Sequence, residues 1–369
     1  MPTNTAAWLT ARQAPLEIKP APYPHPGKGE IVVRNRAVAI NPVDWGLQIF
    51  GTILFSWIKY PFILGGDLAG EIVEVGESVS RFSVGDRVLG LAVGSDPKRN
   101  SSAEGAFQEY TVLLAHLVAP IPSAMSYEDA SVLPMCLSTA ACGLFQKDHL
   151  ALQYPTVATK PTGKTLIIWG GSTSVGSNAI QLAVAAGYEV ITTASPRNFD
   201  YVKKLGASQV FDYKDKGVVT NVIKALRGKT IAGALAIGAG SANACFDIVH
   251  ACKGDKFVST ASRGGSIPSQ FGLNLQTLQI LAGYVSENVS LRVKSRLWGI
   301  GTKFIFGSTL MDNEVSKVIY EDFLPQALAS GSYIAAPEPI VVGKGLNYIQ
   351  VGFDLQRQGV SAKKVVVSL

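Results

Sequence analysis

The stretch Thr165-Leu-Ile-Ile-Trp-Gly-Gly-Ser-Thr-Ser-Val-Gly176 decides how this chain is read. Leu166 to Trp169 is a short apolar run of the kind a parallel strand, covered on both faces, requires. Gly170 and Gly171 allow a sharp turn and let backbone N–H groups come close to a ligand. From Ser174 to Gly187, Ala, Leu, Ile and Val recur at helical spacing, and Gly187 supplies a stop. Val190-Ile-Thr-Thr-Ala194 then reads as a second strand. Strand, turn, helix and strand in that order make a mononucleotide-binding βαβ unit. A pyrophosphate before the helix would meet free N–H groups and the positive end of the helix dipole. The alternative is an α/β turn that binds nothing.

Two departures from the usual glycine fingerprint carry information. Gly171 and Gly176 hold the outer positions of G-x-G-x-x-G, but Thr173 stands at the middle one. Ser172, Thr173 and Ser174 can then offer hydroxyls as well as backbone to phosphate oxygens. At the end of the second strand, where an NAD site places Asp or Glu against the ribose hydroxyls, the chain reads Ala194-Ser-Pro-Arg-Asn198, with no acid until Asp200. A carboxylate about 4 Å from a 2′-phosphate would cost roughly 4 kcal/mol per charge pair at an effective dielectric near 20. Its removal, with Ser195, Arg197 and Asn198 in its place, favours NADPH.

Outward from this unit, composition excludes several classes. At 369 residues the chain can hold two domains. Charged residues at 16% against hydrophobic residues at 47% describe a globular chain rather than a disordered one. The net charge of +6 is scattered, with no sustained basic run, so nucleic acid is not an expected partner. No apolar run is long enough to span a bilayer, and Met1 to Leu9 lacks a signal-peptide pattern; a cytoplasmic protein is expected. Cys136, Cys142, Cys245 and Cys252 lack Cys-x-x-Cys spacing and read as buried free thiols.

The first part of the chain is strand- and turn-rich, with strands expected at Ile31–Ile40, Gly70–Gly76, after Val84-Gly-Asp-Arg-Val88, and from Gly105 to Tyr110. Ala92 to Gly105 reads as an exposed loop, a substrate entrance or a plain connection. From Ser126 helices alternate with strands, implying a parallel sheet, with strands at Thr165–Trp169, Glu189–Thr193, Gln209–Phe211, Gly233–Ile237, Lys256–Thr260 and Lys303–Phe306. Asp312 to Ser330 reads as a helix. Val365–Leu369 is a final strand that needs a host in the N-terminal part, so a nucleotide domain, 129–311, is expected between two pieces of another, 1–128 and 312–369.

Taken in order, Ala39-Ile-Asn-Pro-Val-Asp-Trp45, Gly65-Gly-Asp-Leu-Ala-Gly70, Val84-Gly-Asp-Arg-Val88, Gly105-Ala-Phe-Gln-Glu-Tyr110, Ser138-Thr-Ala140, the cofactor turn, Leu205-Gly-Ala207 and Val210-Phe-Asp-Tyr213 resemble the medium-chain dehydrogenase/reductase superfamily nearly end to end. The chain is most similar to its zinc-independent quinone oxidoreductase and enoyl reductase branch, especially fungal trans-acting enoyl reductases. The resemblance implies an α/β protein: a GroES-like β-rich catalytic domain and a Rossmann-fold, doubly wound parallel-sheet cofactor domain.

Zinc-dependent relatives place a Cys where this chain has Asn41, and Gly-His-Glu where it has Gly65-Gly66-Asp67, so no metal is expected. His25, His116, His149 and His250 are dispersed; His116 is expected in a strand, the others at the surface or in packing. Position by position, Gly171, Ser172, Thr173, Ser174 and Val175 should hold the pyrophosphate. Ser195, Arg197 and Asn198 should face the 2′-phosphate, with Asn198 replacing a family Lys. Tyr213 matches a tyrosine beside the adenosine phosphate, or packs at a strand end. Thr139 and the backbone at Ile237 and Gly238 should meet the nicotinamide. Asn41 should lie near the ring, although Asn-Pro equally serves as a turn.

The reaction implied is hydride transfer from NADPH to an enone or enoyl thioester, on a small-molecule substrate either free or carried on a carrier protein. The proton donor is unassigned; Asn41, Asp44 and Trp45 are candidates, though Trp is no acid and Asp44 could simply cap a helix. Relatives use a Tyr just downstream, where this chain has none before Tyr60. Quinone reduction is the alternative, over a cleft of Ile49, Phe50, Leu54, Phe55 and Trp57 that reads equally as core. A third reading is a non-redox cofactor-binding or cyclase role. Monomer and homodimer both remain open.

Overall fold

A computed structural model describes residues 3–262 and 275–369 of the chain. Those residues divide into two compact units, one drawn from 3–135 and 310–369, the other from 136–262 and 275–309. The first division falls later than position 128 because the helix Tyr127–Ser131 packs on the strands Glu30–Ala39 and Asp67–Val75 of the first unit.

The first unit is built on a seven-stranded sheet. Its path runs Glu338–Lys344, Lys363–Ser368, Glu30–Ala39, Asp67–Val75, Arg87–Leu91 and Val118–Pro120, and Tyr110–Leu114 also pairs with Glu30–Ala39. The C-terminal strand finds its host where the sequence points: Val366 lies opposite Ala39 and Ser368 opposite Ala37, antiparallel. A smaller sheet sets Asn4–Leu9 between Leu16–Ala21 and Phe62–Ile63. Ile31, Val33, Val38, Leu68, Ile72, Phe107, Phe353 and Val365 fill one core between these layers and the helix Tyr348–Gln358. Burying such side chains contributes about 1.5–3 kcal/mol each.

The second unit is a six-stranded sheet whose neighbours are all parallel, in the order Gln209–Asp212, Glu189–Ala194, Lys164–Trp169, Thr230–Ala236, Phe257–Thr260, Gly301–Phe304. Numbered along the chain this is 3-2-1-4-5-6, the dinucleotide-binding order, with its switch point between Lys164–Trp169 and Thr230–Ala236. Ligands in such sheets sit beyond the carboxyl ends of the strands at that point, which here are Trp169 and Ala236.

Several local expectations are corrected. Strand character begins at Tyr110 rather than Gly105, because side chains take the backbone there: Asn35 Nδ2 donates to the Ala106 and Gln108 carbonyls at 3.0 and 2.7 Å. The Ala92–Gly105 stretch is largely buried or half-buried, pinned by Arg99, which bonds both oxygens of Glu104 and pairs with Glu30. His116 sits in a 3₁₀ turn, Ala115–Leu117, not a strand. The expected helix from Asp312 to Ser330 is a 3₁₀ turn ending at Asp312, a helical turn Val315–Lys317, a π turn Val318–Phe323 and a helix Leu324–Ala329. Pro325 has no N–H for the carbonyl of residue 321, and the turn before it widens. The two sheet strands placed at Gly233–Ile237 and Lys303–Phe306 are also shifted toward the N-terminus, to Thr230–Ala236 and Gly301–Phe304.

Candidate active site

In the second unit the turn after Trp169 is tied to the next strand. Gly170 N donates to Thr193 Oγ1 at 3.0 Å and Gly171 N to the Thr193 carbonyl at 2.9 Å. Gly170 has φ +88°, and a Cβ there would also stand 2.7 Å from the Ile237 carbonyl oxygen. A Cβ on Gly176 would lie 2.2 Å from the Gly170 oxygen, so the helix approaches the strand only because both lack side chains.

Thr173 caps the helix Ser174–Ala185. Its hydroxyl accepts from Gly176 N at 3.0 Å and donates to the Gly170 carbonyl at 2.7 Å. The single Thr173 O–H is therefore committed within the turn, and the residue's offer to an anion is structural. The backbone N–H groups of Ser172, Ser174 and Val175 carry no hydrogen bond among the described residues. They are the orphan donors of a twelve-residue helix start. Three such donors and the dipole of that helix fit a pyrophosphate.

Beyond Glu189–Ala194 the chain turns at Ser195, which is half-buried, into the 3₁₀ turn Pro196–Asn198. Arg197 is exposed and has no ion-pair partner among the described residues, whereas Asn198 is buried. Tyr213, one residue past Gln209–Asp212, is 43% exposed, with Lys214 Nζ 5.8 Å from its ring centroid.

At the next strand, Ile237 N donates to the Trp169 carbonyl at 3.1 Å. Gly238 N donates to Ser262 Oγ at 2.9 Å, and its carbonyl accepts from Ser241 Oγ at 2.6 Å. Both N–H groups are thus consumed inside the protein; the Ile237 carbonyl has no hydrogen bond among the described residues, and a Cβ on Gly238 would touch nothing within 4 Å. Thr139 is half-buried on the helix Pro134–Phe145.

The first unit holds a different kind of site. Asn41 precedes the helix Pro42–Phe50, and its backbone N–H donates to Asp44 Oδ2 at 2.7 Å, so Asp44 does close the helix start. Asn41 Nδ2 donates to Asp67 Oδ2 at 2.8 Å, and Lys364 Nζ donates to Asn41 Oδ1 at 2.5 Å and lies 2.9 Å from Asp67 Oδ2. Met135 N donates to the other Asp67 oxygen at 2.5 Å. Asn41, Asp44, Asp67 and Lys364 are all buried. Burial, with help from the Asp67 charge, pushes the Asp44 carboxyl up to about 7, against the opposing Asn41 N–H and Lys364.

Trp45 gives its indole N–H to Gln356 Oε1 and lies under Arg357, roles that leave it in packing. Tyr60 Oη is buried and unbonded, but it lies beside Gly51, at the far end of the nine-residue helix from Asn41. At 1.5 Å per residue that is about 15 Å away. Of the apolar residues read as a cleft, Ile49 belongs to the core and Phe50, Phe55 and Trp57 pack on it; Leu54 alone of the five is exposed.

No three His, Cys, Asp or Glu side chains gather among the described residues. Zinc fits the Asn41 cluster poorly: Gly66 has no side chain, Asn41 is an amide, and an ammonium already neutralises Asp67. All four cysteines are free and buried. No helix among the described residues is long and apolar enough to cross a membrane. Lys364, Ser262 and Thr193 carry no signal of these roles in the sequence, whereas Asp67 stands at a position that the resemblance marks.

A strand-rich unit that takes in the strand Lys363–Ser368 and a second unit with a dinucleotide-type parallel sheet together define the two-domain dehydrogenase class. Residues 27–123 match the alcohol dehydrogenase GroES-like domain, and residues 174–279 match the zinc-binding dehydrogenase family. The chain is 55% identical over 371 residues to the dehydrogenase pigH of Monascus ruber, covering 100% of both. It is 37% identical to the trans-enoyl reductase himH of Aspergillus japonicus, covering 99% of this chain and 97% of the other. The solved CurK enoyl reductase shares the fold, with a TM-score of 0.72 at 20% identity over 99% of each chain. The chain belongs to the medium-chain dehydrogenase/reductase superfamily, with a GroES-like domain and a Rossmann-like parallel-sheet domain, and is an oxidoreductase.

Proposed function

We propose that the chain is an NADPH-dependent reductase of activated carbon–carbon double bonds, acting on an enone or enoyl thioester without zinc. The observation that carries the cofactor half is the set of unbonded N–H groups of Ser172, Ser174 and Val175, followed by a strand end that offers Ser195 and the unpaired Arg197 in place of a carboxylate. Arg197 would meet the 2′-phosphate as a charge-assisted donor. Tyr213 stands exposed beyond the neighbouring strand, suited to cover the adenosine phosphate. The open Ile237 carbonyl can accept from a carboxamide. NADPH supplies the hydride when bound, and the protein's part is to orient and to exclude water.

The substrate half is supported by the enoyl reductase names among its relatives and by the Asn41 cluster. Lys364 and Asp67 fix the Asn41 amide, and the ammonium supplies the positive charge that a metal would bring elsewhere. Reduction places hydride on the β-carbon and a proton, drawn from solvent, on the α-carbon, with hydrogen-bond donors countering enolate charge.

The test is incubation with NADPH deuterated at C4 and a crotonyl thioester, an enone or a benzoquinone. We expect deuterium on the β-carbon of the first two, preference for NADPH over NADH, and activity undiminished by chelators. Oxidation with quinone alone, or stoichiometric zinc in the active protein, overturns the reading.

A further inference from the structure

The helix Leu275–Trp298 of the second unit has one face held and one face bare. Ser290 Oγ donates to Asn243 Oδ1 at 3.4 Å, Lys294 Nζ to Asp247 Oδ1 at 2.7 Å, and the Trp298 ring stacks on His250 at 4.3 Å. Those contacts fix it on the helix Ser241–Ala251. On the other side Val285, Val289, Val293 and Leu297 are 58%, 55%, 50% and 75% exposed. Spaced four apart, they form a single ridge about 18 Å long, the geometry that interdigitates with another helix. Scattered apolar side chains on a surface are ordinary; a continuous row is a contact surface.

Charge narrows the occupant. Arg292 and Arg296, one turn apart, share the bare face and are exposed, and neither has a carboxylate partner among the described residues. Glu287, the one acid between positions 275 and 298, is half-buried and by helical spacing points the other way. A second copy packed on this ridge would bring four guanidinium groups together on chains that each carry +6. At about 8 Å and an effective dielectric near 20 each such pair costs about 2 kcal/mol. A lipid surface would favour aromatic or long aliphatic side chains, and three of the four here are Val.

We propose that this face docks a separate protein that presents an amphipathic helix whose apolar face is bordered by Asp and Glu. Ridge and arginines together give such a partner both area and register. The inference does not depend on the reductase reading.

The test uses the full chain and a fluorescent amphipathic helical peptide with a Leu face flanked by Glu, against one flanked by Lys. We expect saturable binding of the Glu peptide that weakens at high salt and no binding of the Lys peptide. Val289→Asp should weaken it about tenfold, and Arg292→Glu with Arg296→Glu by at least as much. The thermal unfolding midpoint of these variants should match the wild type, which reports an intact fold. Absent binding of the Glu peptide, or binding indifferent to Val289→Asp, overturns the proposal. So does a wild-type dimer that Val289→Asp splits, which would assign the face to a second copy. Retention on phosphatidylglycerol vesicles that Val289→Asp abolishes would assign it to a membrane.

Discussion

The turn after Trp169 and the cluster around Asn41 handle charge in opposite ways. The turn is made of backbone: three N–H groups without a partner among the described residues, held by neighbours within a few dozen residues. The cluster is made of side chains drawn from positions 41, 67 and 364, each satisfied by the others and shut away from water. Open donors suit a ligand that arrives with its own charge; a closed ion pair suits the holding of geometry. A buried pair is costly to break and need not be worth much whole.

That contrast can be broken most forcefully at Lys364. Lys364→Met should destabilise the protein by about 3–5 kcal/mol, by leaving the Asp67 carboxylate buried and unpaired, whereas Lys364→Met with Asp67→Asn should recover most of the loss. Urea unfolding of the three proteins checks this; equal losses in single and double variants would show that the pair is not a unit.

Asp44 comes next. Below about pH 4 its carboxyl is protonated in both folded and unfolded chains. As pH rises, the unfolded chain ionises first while the folded one keeps its proton to about 7. Stability contributed by this raised group is therefore present in acid and lost as pH climbs toward 7, by at most about 4 kcal/mol. Wild type should weaken relative to Asp44→Asn between pH 4 and 8, and parallel profiles by denaturant titration would contradict the cause assigned.

At the turn the effects are smaller. Arg197→Ala should weaken NADPH binding about tenfold and leave NADH unchanged, as calorimetry would show; equal weakening of both would remove Arg197 from the 2′-phosphate. Thr173→Ala should cost about 1 kcal/mol of stability, a helix cap lost, and thermal unfolding reads it. A loss of NADPH affinity without that destabilisation would return the hydroxyl to the phosphate.

The same contrast explains what was legible in the sequence. The turn could be read because its strand, glycines and helix are contiguous, and the parallel sheet followed from repeating that pattern. Even there, only the structure shows that Thr173 spends its hydroxyl on Gly170 and that Ser262 takes the Gly238 N–H. The cluster was half-visible. Asn41 and Asp67 stood at positions marked by resemblance, but of two adjacent lysines nothing local says that Lys363 reaches Glu338 at the surface while Lys364 turns inward. After Asp312 an apolar helical rhythm runs through the sequence, but Pro325 interrupts it and the turn before it widens.

The last strand, Lys363–Ser368, lies between Glu30–Ala39 and Glu338–Lys344. During synthesis, Glu30–Ala39 must therefore wait with a raw edge, and Asp67 without its counter-charge, until Lys363–Ser368 has been made. The parallel-sheet unit, encoded in between, has no such delay and can fold beforehand. Loss of residues 363–369 would take away both Lys364 and the strand that pairs with Glu30–Ala39, leaving Asp67 buried without its ammonium.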